Sequence, residues 1–361
     1  MPLRRSRNGG GGMNGKEYPA GRSCSIRDLA RYVGLSTCTV SKVLNNRAGR
    51  KIPPATQERV LAAARELNYV PNVNAQRLFR RRSGVIGLLV PAHPMTPGNV
   101  FGDSHFVDIL SGMEPRLEES DYHLMLLFRN EEKRPDESYQ RLFRAGTIDG
   151  LLIWGASPEC GYYRELEENG MPYLFITSTP AAEDSVQVNT VASDYRRTAA
   201  EVTGAMVRAG CRKLLYLAGP EKSSVTAAMR LGVDDALAGS GVRLVTRFSR
   251  YVPDEARNAA FEALKREQFD GILNVSRDMT PGVLEAAEAF GTGGDMLRMA
   301  TLDCASNRPL LPQELAAGQV DDLSIGRAAI DSLIELIERK TARISKRIPG
   351  TLAVNPRFFT D

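Results

Sequence analysis

Apolar residues follow two different spacings along this chain. Between residues 25 and 67 they recur at helical intervals in short stretches, and from residue 84 onward brief unbroken apolar runs alternate with longer amphipathic ones. In the first region Ile26, Leu29, Ala30 and Val33 stand at i, i+3, i+4 and i+7, which predicts one helix stripe. Ser25 is placed to cap that helix, with Asp28 in a capping-box position, and Gly34 ends it. Ser36 caps a second helix whose Val40, Val43 and Leu44 share a face. A third starts near Pro54 and carries Val60, Leu61, Ala64 and Leu67. Three short helices of this kind share one small core.

The second region begins with VIGLLV (85–90), FVDILSGMEPRLEES (106–120) and HLMLLF (123–128), a strand, helix, strand series that predicts a parallel sheet. The series continues, and IDGLLIW (148–154) is echoed by FDGILNV (269–275), so two similar α/β halves with a cleft between them are expected. The stretch 324–340, with Ile325, Ala328, Ala329, Leu333, Leu336 and Ile337 apolar, predicts a long helix for the core or an interface between copies.

Length and composition agree with several compact units: 361 residues, 42% hydrophobic, are enough for more than one core. No apolar run approaches the roughly twenty residues that cross a bilayer, and the basic, glycine-rich start has no secretory h-region, so a cytoplasmic protein is expected. Five scattered cysteines, Cys24, Cys38, Cys160, Cys211 and Cys304, form no close pair of the kind that zinc or redox motifs use. No metal or cofactor is expected.

The net charge of +4 conceals a division. Residues 1–82 hold 17 Lys+Arg against 4 Asp+Glu, net +13, whereas the remainder holds 30 against 39, net −9. A cationic head on an acidic body points to a polyanion partner, although solvated basic tails have the same composition. On the second helix Thr37, Cys38, Ser41 and Lys42 fall away from the Val40/Val43/Leu44 face and must meet solvent or a partner. Two short helices around Gly34 make a helix-turn-helix, whose second helix enters the DNA major groove by its N-terminal residues. The competing reading is a small three-helix bundle with a polar surface.

SIRDLARYVGLSTCTVSKVLNN, followed by TQERVLAAARELNYVPNVNAQRL, resembles the head of the lactose/galactose-repressor (LacI/GalR) family of bacterial transcription regulators. Leu35-Ser36, Thr39-Val40-Ser41 and Val43-Leu44-Asn45 carry the likeness. It implies a DNA-contacting set of Ser25, Ser36, Thr37, Cys38, Thr39, Ser41, Lys42 and Asn45, with Thr37, Cys38 and Lys42 at base-reading positions. The family usually has Arg where Lys42 stands, and an ammonium meets guanine as a point charge without the guanidinium fork. VPNVNAQRLFRRRSG resembles the family's hinge helix, which folds when two chains pair in the minor groove; Leu78 matches the wedging leucine, with Asn72 and Ala75 close to the groove. A flexible basic linker fits the same residues.

The body resembles the family's periplasmic-binding-protein-like effector domain. The expected fold is therefore an all-α helix-turn-helix head plus hinge helix, joined to an α/β body of two open parallel-sheet subdomains. The expected division is a basic tail at 1–22, the head at 23–70, the hinge at 71–83 and the effector-binding and dimerisation domain at 84–361. Its N-subdomain is expected at about 84–187 and 306–342 and its C-subdomain at about 188–305 and 343–361, with crossings near Gln187, Ala305 and Arg343. Ligands of open α/β sheets lie beyond the carboxyl ends of the strands. Candidates there are Phe106, Trp154, Asn189, Asp278 and Asp303, with Phe106 matching the family's cleft aromatic, whose face suits a sugar or purine.

Departures from the family pattern are plain. MRLGVDDAL puts Met229 where the family usually has a ligand-gripping Arg and Arg230 one place later, which makes Arg230 a further effector-binding candidate; Arg277-Asp278 replaces an Asn-Asp pair, and Asp303-Cys304 replaces Asp-Asp. A sugar-like or nucleoside-like effector, an unusual ligand, a protein partner, or no ligand all fit these residues. The partners implied are double-stranded operator DNA, a small-molecule effector and a second copy of the chain. An enzyme is disfavoured: G-x-S-x-G, G-x-x-x-x-G-K-[ST] and H-E-x-x-H are absent, and only His93, His105 and His123 supply imidazoles. Cys304 has no histidine near it in sequence. A solute-binding protein shares the body but not the basic head.

Overall fold

A computed structural model describes residues 24–45, 51–70, 82–90, 100–128, 135–155, 163–180, 187–291 and 298–359. The basic tail, the hinge residues Asn72, Ala75 and Leu78, and Cys160 lie outside them. The chain divides into two compact units, Met1–Arg81 and Arg82–Asp361.

In the first unit, helices α1 (Ile26–Val33), α2 (Thr37–Leu44) and α3 (Pro54–Glu66) enclose Leu29, Ala30, Val33, Val40, Val43, Val60 and Ala63. Leu61, expected inside, is 44% exposed, and Ala63 is buried instead. Val60, Ala63 and Leu67 stand at i, i+3 and i+7, a stripe from which Leu61 is turned by about 100°.

In the second unit, the elements from β1 (Val85–Val90), α4 (Ser104–Glu119), β2 (His123–Phe128), α5 (Pro135–Arg144), β3 (Gly150–Trp154), α6 (Tyr163–Glu168), β4 (Tyr173–Ile176) and β5 (Thr190–Ser193) build a first lobe. A second is built from α7 (Tyr195–Arg208), β6 (Lys213–Ala218), α8 (Ser224–Leu237), β7 (Arg243–Phe248), α9 (Pro253–Leu264), β8 (Gly271–Ser276), α10 (Thr280–Ala289), β9 (Arg298–Ala305) and β10 (Glu314–Val320). Helix α11 (Asp322–Ile337) and β11 (Ser345–Ile348) return to the first lobe, and β12 (Thr351–Val354) ends in the second. The sheets run β11-β5-β4-β3-β1-β2 and β12-β10-β9-β8-β6-β7. All pairings are parallel except β10 with β12.

Helices cover both faces of the first sheet, which is why β1 is apolar without alternation. Its Ile86, Leu88 and Val90 enter one core while Val85 and Leu89 enter another. Helices α4 and α11 pack on each other so closely that a Cβ on Gly112 would run into the Leu323 carbonyl, and one on Gly326 into that of Ile109.

The crossings differ from expectation. Strand β5 pairs with β4 and β11 pairs with β5, so the chain leaves the first lobe after Ser193, not near Gln187, and leaves it finally after Ile348, not near Arg343. Strand β10 stays beside β9, so the return comes at Asp321 and not near Ala305. TVAS and SKRI carry too few large apolar residues to announce themselves as strands. Among the described residues no helix is long and apolar enough to cross a membrane.

Candidate DNA-reading face and interlobe cleft

In the head, the Ser25 Oγ accepts from the Asp28 N–H at 3.3 Å while the Asp28 carboxylate accepts from the Ser25 N–H at 3.1 Å, a complete capping box. Gly34 closes α1 at φ 66°, a left-handed conformation that glycine adopts without strain, and the Leu35 N–H reaches the Ala30 carbonyl at 3.0 Å. Ser36 caps α2, accepting from the Thr39 N–H at 3.1 Å, and its hydroxyl meets that of Thr39 at 2.9 Å. The Asn45 amide donates to the Ser41 carbonyl at 2.8 Å. Ser25, Ser36, Thr39, Ser41 and Asn45 are thus engaged in building the helices. Thr37, Cys38 and Lys42 are exposed on α2 and make no side-chain hydrogen bond to another described residue.

In the body, the expected cleft residues separate. Phe106 is fully buried, its ring 5.7 Å from that of Phe101 and 4.9 Å from that of Trp154. Its face is occupied by protein, and the aromatics of this cluster that are exposed are Phe101 and Phe128, whose rings are 6.4 Å apart. Trp154 holds the carboxyl end of β3, as expected. Asn189 stands at the amino end of β5, where its side-chain oxygen accepts from the Ile344 N–H at 3.0 Å, so it ties β11 to the sheet away from the carboxyl ends. Arg230 grips Asp234 at 2.9 Å and Thr246 at 3.1 Å, a helix-to-strand brace. Arg277, the departure beside Asp278, is also structural: it meets the buried Glu314 at 2.6 Å.

Asp278 and Asp303 do stand at the carboxyl ends of β8 and β9. His105, at the start of α4, joins them: its Nδ1 is 2.7 Å from Asp322 and its Nε2 is 3.5 Å from Asp303. Burial by itself would lower the His105 pKa, but Asp303, the Asp322 hydrogen bond and Asp103 together hold it well above its ordinary value. Asp303 is pushed up to about 6, chiefly by burial, with Asp322, Asp103 and Asp278 adding repulsion that His105 only partly offsets.

Two other bonds cross between the lobes: the Thr179 N–H donates to Ser224 Oγ at 2.9 Å, and the Asn307 amide to Asp108 at 3.2 Å. Thr177, between β4 and Thr179, has φ 68°, a strained conformation for a β-branched residue. His105, Asp322, Phe101 and these bridging residues were not among the sequence candidates. The one available signal was the scarcity of histidine, beside the Phe106 already singled out. Cys304 gains a histidine neighbourhood through Asp303, but its thiol is fully buried and burial raises its pKa, which leaves a packing residue. Among the described residues no group of histidine, cysteine or carboxylate side chains could hold a metal ion.

Residues 25–72 match the family model of bacterial regulatory proteins, lacI family, and residues 83–355 match that of periplasmic binding proteins and sugar binding domain of LacI family. The chain is 25% identical over 327 residues to the HTH-type transcriptional regulator MalR of Streptococcus pneumoniae, covering 87% of this chain and 92% of that protein. It is 25% identical over 337 residues to the regulator CelR of Thermobifida fusca, covering 90% and 91%. Among solved structures, the lac repressor dimer bound to operator and an anti-inducer superposes with a TM-score of 0.75 at 20% identity, over 92% of this chain and 98% of that one. A CelR–cellobiose complex gives 0.66 at 21% identity over the same shares.

Proposed function

The chain belongs to the LacI family of DNA-binding transcriptional regulators, and from that premise we propose that it is a repressor which grips a palindromic operator as a homodimer and answers to a small molecule held between its lobes. The observation that carries the first part is the exposed trio on α2, Thr37 and Cys38 in its first turn and Lys42 in its last, in a segment of net charge +13. One such helix reads a half-site, so two copies are needed. The hinge residues Asn72, Ala75 and Leu78 belong to this proposal as a minor-groove element, with Leu78 as the apolar wedge that trades unstacking for the contacts of a kinked duplex.

For the effector, the carboxylates of Asp278 and Asp303 at the ends of parallel strands are the polar groups best placed to meet a ligand, and a hydroxyl-rich, sugar-like molecule suits acceptors of this kind. A ligand that prefers one lobe arrangement shifts the dimer's DNA affinity, and reciprocally. Moving the protein from mostly bound to mostly free requires differential binding on the order of 5 kcal/mol.

The test is selection of bound duplexes from a random pool by the full-length protein, followed by titration of the selected site with mono- and disaccharides. A palindrome with half-sites about one helical turn apart is expected. Absence of any preference over scrambled competitor, with and without sugars, would refute the operator reading. An operator affinity that no sugar alters would refute the effector class.

A further inference from the structure

The interlobe contact at His105 is built differently from the other two. Thr179–Ser224 and Asn307–Asp108 use neutral donors, whereas His105 sits between two carboxylates that belong to different lobes. Asp322 opens α11, which packs with α4 in the first lobe, and Asp303 lies near the carboxyl end of β9 in the second. We propose that His105 is a proton-operated latch: protonated, its ring joins Asp322 to Asp303 and holds the lobes together; deprotonated, it lets Asp303 go.

The chemistry follows from the two ring nitrogens. An imidazolium carries an N–H on each, one hydrogen-bonded to Asp322 and the other facing Asp303 as an ion pair. Neutral imidazole keeps only one N–H. The 2.7 Å contact with Asp322 keeps that proton on Nδ1. Nε2 then presents a lone pair to the Asp303 carboxylate, and an attraction across the lobe boundary becomes a repulsion. The proton lost goes to solvent.

The surroundings favour the charged form. Facing His105 are Asp103 before α4, Asp303 on β9 and Asp322 on α11, with Asp278 after β8, Asp108 on α4 and Asp321 adding negative charge around them. Tyr195 on α7, beside Asp303 and Asp322, and Tyr251, before α9 and beside Asp303, are further titratable neighbours, and burial first, then those carboxylates, raises the pKa of each phenol and holds it protonated. Oδ1 of Asp303 is buried and has no hydrogen-bond partner among the described residues, and the charged His105 faces it at 3.5 Å.

The sign is the same for both partners. His105 has a raised pKa when latched, so closure takes up a proton and is lost as pH rises through that raised value. Asp303 is also raised, to about 6, so it adds no alkaline stabilisation of the latch. Between the ordinary histidine range and the raised value, the closed-to-open ratio changes by up to about tenfold per pH unit for one proton.

The sole tryptophan, Trp154, stands beside Phe106 at the carboxyl end of β3 and reports on the cleft. The test is acrylamide quenching of Trp154, with small-angle scattering, on the full chain from pH 6 to pH 9 with no sugar present. In the unaltered protein quenching and radius of gyration should both rise with pH. His105→Gln should be open and nearly flat, and His105→Arg, which keeps the charge, closed and nearly flat. Asp303→Asn, which leaves α4 untouched, should lose most of the pH response. A flat response in the unaltered protein, or the same rise in His105→Gln, overturns the latch. Neither outcome bears on the sugar reading, because no effector enters the experiment.

Discussion

The base-reading surface comes down to three side chains that nothing inside the head employs. Lys42 is the charged member, and a lysine reaching guanine acts as a point charge. Lys42→Ala should therefore weaken binding to the selected operator by about 1–3 kcal/mol and relax preference at one base pair, measured by titration at fixed salt. A loss equal on all sequences would make it a phosphate contact. In the body the decisive residue pair is Arg277–Glu314, with side chains 11% and 0% exposed. Glu314 also accepts from the Thr301 hydroxyl at 2.6 Å and the Leu311 N–H at 2.8 Å, so it gathers two strands and a turn. Removing it by Glu314→Ala strands a guanidinium and should cost about 3–5 kcal/mol in urea unfolding. Replacing both partners with apolar residues of similar volume should recover much of that loss.

Among elements, the α4–α11 pair sets the shape of the first lobe. Gly112 and Gly326 let the two backbones touch, and each faces a carbonyl oxygen of the other helix. Gly112→Ala cannot be absorbed by rotating a side chain, because the obstacle is backbone. A destabilisation of about 1–3 kcal/mol is expected, seen as a lower urea midpoint of the body. The same pair carries His105 and Asp322, so a shift here should also flatten the pH response of Trp154 quenching. The strands divide by visibility. VIGLLV, GLLIW and GILNVS are buried on both faces and announce themselves as apolar runs, whereas TVAS, SKRI and TLAV are short and partly polar.

For the whole molecule, the two units have separate cores, Leu29, Val40 and Val60 in one and the sheets with their helices in the other. Deleting residues 1–82 should leave a body that still unfolds cooperatively in urea, with far-UV circular dichroism reduced only by the signal of the three lost head helices, and no DNA affinity. Retained operator binding would contradict the placement of the reading head.

Local spacing determined the three head helices, their caps, the exposed trio and the alternation of strands with helices, because such features depend on neighbours within one or two turns. It could not place the crossings between lobes, since a strand like SKRI is recruited by pairing with Thr190–Ser193 far away in sequence. The cleft followed the same rule. Asp278 and Asp303 were legible from strand ends, but Phe106, Asn189 and Arg230 were claimed by packing, cross-strand bonding and an ion pair that only tertiary contacts supply. His105 acquires its meaning from Asp303 and Asp322, about two hundred residues away along the chain. Electrostatics acts through space, and only the folded backbone brings those charges within a few ångströms.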